Sequence, residues 1–328
     1  MRTNLNEILI TTILESIPKS IKPVAFLMDS LQLSRESVYR RIRGEIPFSI
    51  GEVAQLSLTL GFSLDEIMGG SRKGRAFFDL LSGKKAESPE AFQTMLQKYH
   101  EYIENYTAAE DGKSIMALNR LPPPLFAFFN YLFKFEYCKW LHQNEENCSK
   151  QLFSDVAVSD ELFALQESIQ FSFKKMNNLS LIFDPNVFSS ITRDIQYFFQ
   201  RKLIKCHELE LLKEELYQLI DFFEEIAKTG TLEYGTKINI YLSPLYINAN
   251  TCYVETNLSA ESIFWVFPAN PMFVSHAEVC ATHKKWLLSL QRQAVLITLS
   301  NEILQSEFFD KQRRYVETHL GEAVSVIH

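Results

Sequence analysis

Apolar residues recur along this chain at two spacings, one helical and one of period two, and the helical spacing comes first. Leu5, Leu9, Ile13 and Ile17 stand four apart and form one stripe of an amphipathic helix running from Asn4. Residues 16–23 break it. Pro23 suits the first turn of a second helix, whose inner face is Val24, Leu27, Met28 and Leu31. Gln32 and Leu33 form a tight turn, and Ser34 caps a third helix over 34–43 that ends at Gly44. Only Val38 and Ile42 face inward on it. Ser49 with Glu52, and Ser63 with Glu66, have the spacing of capping boxes and open a fourth and a fifth helix. Val53, Leu56 and Leu60 line the fourth, Gly61 ends it, and Gly69 and Gly70 end the fifth.

Residues 71–85 read as a connector interrupted by a short helix at Ala76–Leu81. A long helix from Ser88–Pro89 to Tyr106 presents Phe92, Met95, Leu96, Tyr99 and Ile103 on one face. Pro122, Pro123 and Pro124 break the chain. Leu125–His142 then predicts an aromatic helix, apolar on most faces and central to the core. Further helices are expected at Ser159–Met176, Val187–Leu203 and Glu208–Lys228. The stripe Leu209, Leu212, Leu216, Ile220 and Phe223 on the last fits intrachain core or a dimer seam.

After Gly230 the period shortens. Lys237–Leu242 alternates polar and apolar residues, and Tyr246–Ile247, Thr251–Glu255 and Ser262–Phe267 read as further strands, with a turn at Asn248–Asn250. Helices at Ala277–Gln291 and Asn301–His319 close the chain. The expected fold class is mainly α. A five-helix domain over 1–70 and a connector over 71–87 precede a larger, mostly helical domain over 88–328 with a small antiparallel sheet.

Composition adds compartment and partner. The 328 residues are 46% hydrophobic with 26 Phe, enough for a sizeable core, while 11 Gly and 11 Pro argue against an all-β or disordered chain. Residues 1–75 carry ten Lys and Arg against eight Asp and Glu, whereas the rest carry 23 against 32. A basic face at one end of an acidic chain fits a nucleic-acid contact there. Five scattered cysteines without a C-x-x-C pair suggest reduced thiols in the cytoplasm. No signal peptide or membrane span is read.

The third helix turns Arg35, Ser37, Tyr39, Arg40, Arg41 and Arg43 outward, with Glu36 its one acid. The stretch from Phe26 to Ile67 resembles the lambda-repressor-like (Cro/Xre-type) helix-turn-helix family. Leu27, Ser34, Arg43–Gly44 and the ungapped run Gly61 to Ile67 carry the likeness. Two residues depart from the family's pattern. Met28 replaces a usual alanine and implies wider packing. Gln32 replaces a turn glycine and must accept an unusual backbone angle. The resemblance implies that the third helix enters the major groove of double-stranded DNA. Arg35, Glu36, Ser37 and Tyr39 would lie nearest the bases. Arg40 would meet a base or a phosphate, and Arg41 and Arg43 phosphates. Lys22, with Lys19, would touch the backbone ahead of the second helix. Tyr39 fits packing on the domain surface equally well.

The function expected is a sequence-specific transcriptional regulator. Its C-terminal part would dimerise the chain or respond to an effector, small molecule or protein; the alternative is a DNA-recruited protein scaffold without an effector. No catalytic constellation or phosphate-binding motif stands out, so neither an enzyme nor a cofactor is expected. His276, Cys280 and His283 share one helical face at a spacing that suits a metal, but core is the simpler role and no metal is expected. The aromatic runs Phe126–Phe135 and Phe264–Phe267 fit plain core or the lining of an apolar pocket.

Overall fold

The computed structural model describes residues 5–18, 21–64, 67, 78–80, 89–107, 109, 111–232, 236–257, 259–267 and 270–321. The chain divides into two compact units, Met1–Phe77 and Phe78–His328.

In the first unit, α1 (Leu5–Ser16), α2 (Pro23–Leu31), α3 (Arg35–Ile42) and α4 (Ile50–Leu60) surround Ile13, Ile17, Leu27, Val38, Phe48, Val53 and Leu56. The apolar stripe of α1 is narrower than its spacing predicts, because Leu5 remains 48% exposed. The local signals act as their chemistry requires. Ser34 caps α3 by accepting from the Ser37 N–H, and Ser49 and Glu52 form a complete capping box at α4. Gly61 closes α4 in the left-handed region, at φ 77°. Gln32 takes φ 52° at the end of α2, so the turn that usually favours glycine is made here by a glutamine. Met28 is half-buried against the core. The expected fifth helix falls largely outside the described residues, as do Lys19, Gly69, Gly70 and residues 71–77; Leu64 and Ile67, which are described, are helical.

The second unit contains β1 (Asp79–Leu80), α5 (Pro89–Thr107), β2 (Lys113–Leu118), α6 (Asn130–Asn144), α7 (Asp160–Phe173), β3 (Leu179–Phe183), α8 (Ser189–Gln200) and α9 (Cys206–Thr229). After these come β4 (Ile238–Leu242), β5 (Thr251–Glu255), β6 (Ala260–Phe267), β7 (Asn270–Val274), α10 (Ala277–Gln293), β8 (Val295–Leu296) and α11 (Glu302–Leu320). The strands form one sheet in the order β1-β7-β6-β5-β2-β3-β4-β8. The small antiparallel sheet expected near the end of the chain is therefore wrong. Helix still predominates, but among the described residues the sheet has eight strands, is mixed, and runs β2, β3 and β4 parallel.

Parallel neighbours need long crossovers, here supplied by α6 and α7 and then by α8 and α9. Both crossovers step across the sheet in the same direction, so one handedness puts their helices on one face. On that face Met116, Leu118, Leu181, Phe183 and Ile240 join the main core with Leu212, Ile220 and Phe223 of α9. On the other face Ala117, Ile182 and Tyr253 pack against Cys280, Leu287 and Leu290 of α10. Leu181, Ile182 and Phe183 of β3 are each 0% exposed, so this strand has no wet face and shows no alternation.

Three local expectations fail for stated reasons. Residues 79–80 of the helix expected at Ala76–Leu81 instead pair with Phe273 and Met272 as a strand, a non-local bond that outweighs local pattern. The Leu125–His142 helix is split. Pro123–Phe128 forms a 3-10 turn that closes with the Phe129 N–H on the Phe126 carbonyl at 3.0 Å. Phe129 at φ −137° separates it from α6, whose first turn is capped from a distance, the Leu132 N–H donating to Glu215 Oε2 on α9 at 2.8 Å. Tyr246–Ile247 is not a strand; the Ile247 N–H donates to Asp184 Oδ2 at 3.3 Å rather than to a ladder. The stripe of α9 is spent on the core of its own chain, since Leu209, Leu212, Leu216, Ile220 and Phe223 are each 0% exposed. No helix among the described residues is long and apolar enough to cross a membrane.

His283 is a buried polar tie between α10 and the sheet. Its Nε2 lies 2.7 Å from Thr251 Oγ1 and its Nδ1 2.8 Å from Ser262 Oγ. Cys280 Sγ donates to the Val274 carbonyl at 3.3 Å. Among the described residues no three His, Cys, Asp or Glu side chains are grouped to hold a metal ion. Burial pushes the His283 pKa down to about 4. An unfolded histidine titrates near pH ~6.5, so between these values the unfolded chain binds the extra proton. The contribution of neutral His283 to stability is therefore fully present above about pH 6.5 and is lost as pH drops toward 4. Melting temperatures of the native chain and of His283→Gln, compared from pH 7.5 to 4.5, should show the steeper loss in the native chain; parallel slopes would remove His283 as the cause.

Candidate nucleic-acid interface

The eight residues of α3 bury one side chain fully, Val38 at 1% exposed, with Ile42 half-buried beside it. One valine contributes only about 1.5–3 kcal/mol, so so short a helix needs other attachments. One is the Ser34 cap, whose hydroxyl also donates to Ser37 Oγ at 3.1 Å. The other is Arg41. Its Nε and Nη2 reach Glu52 Oε2 and Oε1 on α4 at 3.1 and 2.8 Å, and its Nη1 donates to the Ser37 carbonyl at 3.3 Å. The two charged side chains are only 15% and 17% exposed. Burial alone would raise the Glu52 pKa, but hydrogen bonds from Arg41 and Ser49 outweigh it and hold the carboxyl below its usual range.

This geometry sorts the outward residues of the third helix. Arg41 faces α4 and acts as a clamp rather than a free phosphate ligand. Ser37 is half-buried and engaged in the cap. Arg35, Glu36, Tyr39, Arg40 and Arg43 are exposed, with the Arg35 guanidinium 5.7 Å from the Tyr39 ring centroid. Tyr39, 39% exposed, thus lies under Arg35 and still meets solvent. Lys22 is exposed at the N-cap of α2 and makes no side-chain capping bond there. The basic residues Arg40 and Arg41 occupy the last turn of α3, where cations also favour the negative end of the helix dipole.

Two carboxylates that pair with the arginines of the third helix lie outside the candidate residues legible in the sequence. The spacing marks Glu52 only as a capping-box residue; its second duty depends on α3 lying beside α4. Glu45 is the other. Its Oε2 lies 3.4 Å from Arg40 Nε and its Oε1 3.2 Å from Arg43 Nε. The signal was available, because a glycine two residues past a helix places the next side chain back over the last turn.

In the second unit Phe126, Phe133 and Phe135 are at most 1% exposed, and Trp265 is 7% exposed, so these parts of the aromatic runs form core. A groove of about 750 Å³ opens elsewhere, lined by Tyr102, Tyr106, Asp111, Asn257 and Glu261 among others. No family model, curated protein or solved structure matches the chain.

Proposed function

We propose that this chain is a sequence-specific, DNA-binding transcriptional regulator of the cytoplasm, with α3 as the helix that enters the major groove. The observation that carries this reading is the division of labour on α3. Val38 and the Arg41–Glu52 clamp attach the helix, and Arg35, Glu36, Tyr39, Arg40 and Arg43 are left facing solvent. Arginine can bind guanine O6 and N7 in a two-pronged way, and glutamate can accept from cytosine N4. Lys22, at the N-terminus of α2, adds a cation where a helix end already favours phosphate. One such unit reads a short half-site, so the reading includes a homodimer on a two-fold operator, with the C-terminal unit as the dimerising or effector-responsive part.

The test is selection of bound duplexes from a randomised pool with the full chain. A half-site enriched as an inverted repeat is the expected result. Recovery of unenriched sequence, at salt concentrations where binding is measurable, would sink the reading.

A further inference from the structure

The C-terminal end of α3 closes in a fully formed glycine turn. Gly44, at φ 72°, donates its N–H to the Arg41 carbonyl at 2.9 Å, and Glu45 donates its N–H to the Arg40 carbonyl at 2.9 Å. These two bonds define the Schellman arrangement, which stacks the residue after the glycine against the residue three places from the helix end. A hydrophobic contact often occupies that stack. Here the two positions hold Glu45 and Arg40, and the carboxylate reaches a second guanidinium on Arg43. Each carboxylate oxygen therefore faces one arginine, at 3.4 and 3.2 Å. The backbone turn fixes the Cα and Cβ of Glu45 over the last turn of α3, and from there the carboxylate reaches both guanidinium groups.

A phosphodiester presents the same chemistry, two anionic oxygens to two guanidinium groups. Building on the DNA-binding reading, we propose that Glu45 is an intramolecular stand-in for a DNA backbone phosphate. It holds Arg40 and Arg43 in the free protein and must be displaced from them when the duplex binds. It thereby lowers affinity for any DNA sequence and restrains non-specific binding. The pairs are exposed, with side-chain exposures of 49% and 60% for the arginines and 44% for Glu45, so phosphate can reach the site and compete.

The test uses the full chain and a mixed-sequence duplex, with binding followed by fluorescence anisotropy across a salt series. Glu45→Gln keeps the backbone turn and removes the charge. It is expected to bind about three- to tenfold more tightly at low salt, the scale of one or two released surface ion pairs, with the gain shrinking as salt rises. Glu45→Lys should gain more. Asp29→Asn, an exposed charge removed from another helix of the same unit, should gain less. Introducing Arg43→Gln should reduce the Glu45→Gln gain, since only the Arg40 pair is then left to release, a coupling that a general change of net charge would not produce. Measurable binding by the native chain with no gain in Glu45→Gln, or a gain equal to that of Asp29→Asn and independent of Arg43, overturns the stand-in while leaving the DNA-binding reading intact. Absence of binding by the native chain and both Glu45 variants overturns the two together.

Discussion

Replacing Arg35 by alanine is expected to weaken binding to the selected DNA site by about 5- to 150-fold, the range for one lost two-pronged base contact. Adding Arg40→Ala should weaken it further. Both side chains are exposed and neither supports the core, so the melting temperature should barely change. Arg41→Ala should behave in the opposite way. It strips Glu52 of its bidentate partner in a half-buried position and leaves α3 anchored by Val38 and its cap. Stability of the first unit should fall, and DNA affinity should fall only as far as the folded fraction does. Anisotropy and thermal melting on the three variants separate these outcomes. Unchanged affinity in the Arg35 and Arg40 double variant would remove α3 from the groove.

Phe223→Ala is expected to give the largest loss of stability, about 3–5 kcal/mol. Phe223 is 0% exposed, and its ring lies 5.5 Å from Phe183 on β3 and 6.0 Å from Phe188, centroid to centroid. It thus joins α9 to the middle of the parallel strands. A loss of that size is a large share of the roughly 5–15 kcal/mol that separates most folded domains from the unfolded state. Urea unfolding should show a much lower midpoint, and Phe223→Leu, which fills most of the space, should lie between the two. A midpoint shift equivalent to less than about 1 kcal/mol would mean that the cavity closes or that this packing does not form.

The N-terminal unit was largely legible because its signals are local. Ser34, Ser49, Glu52, Gly44 and Gly61 act on backbone groups within a few residues of themselves, and their caps form where the spacing predicts. The angle forced on Gln32 was legible for the same reason. The exposed face of α3 could also be read, since Val38 and Ile42 leave the other positions to solvent. What could not be read was how its arginines differ. Arg41 turns inward because a carboxylate eleven residues later stands beside it, and that proximity is a property of two packed helices.

In the C-terminal unit the division is sharper. Long helices such as α5 and α9 follow from one apolar stripe at helical spacing, and β4, β5 and β6 follow from alternation or turn-bounded aromatic runs. β2 and β3 do not. Both are short and largely buried, β3 on both faces, so burial erases the alternation by which strands are found. Their identity lies in register with partners far along the chain, as Met116 with Leu181 and Leu181 with Ile240. Sequence alone therefore determined the capped helices and the charged face of α3, because hydrogen bonds and periodicity act over a few residues. Only the tertiary structure decided the extent of the sheet, the inward clamp of Arg41 and the tie at His283, because each depends on groups that meet only when distant segments pack.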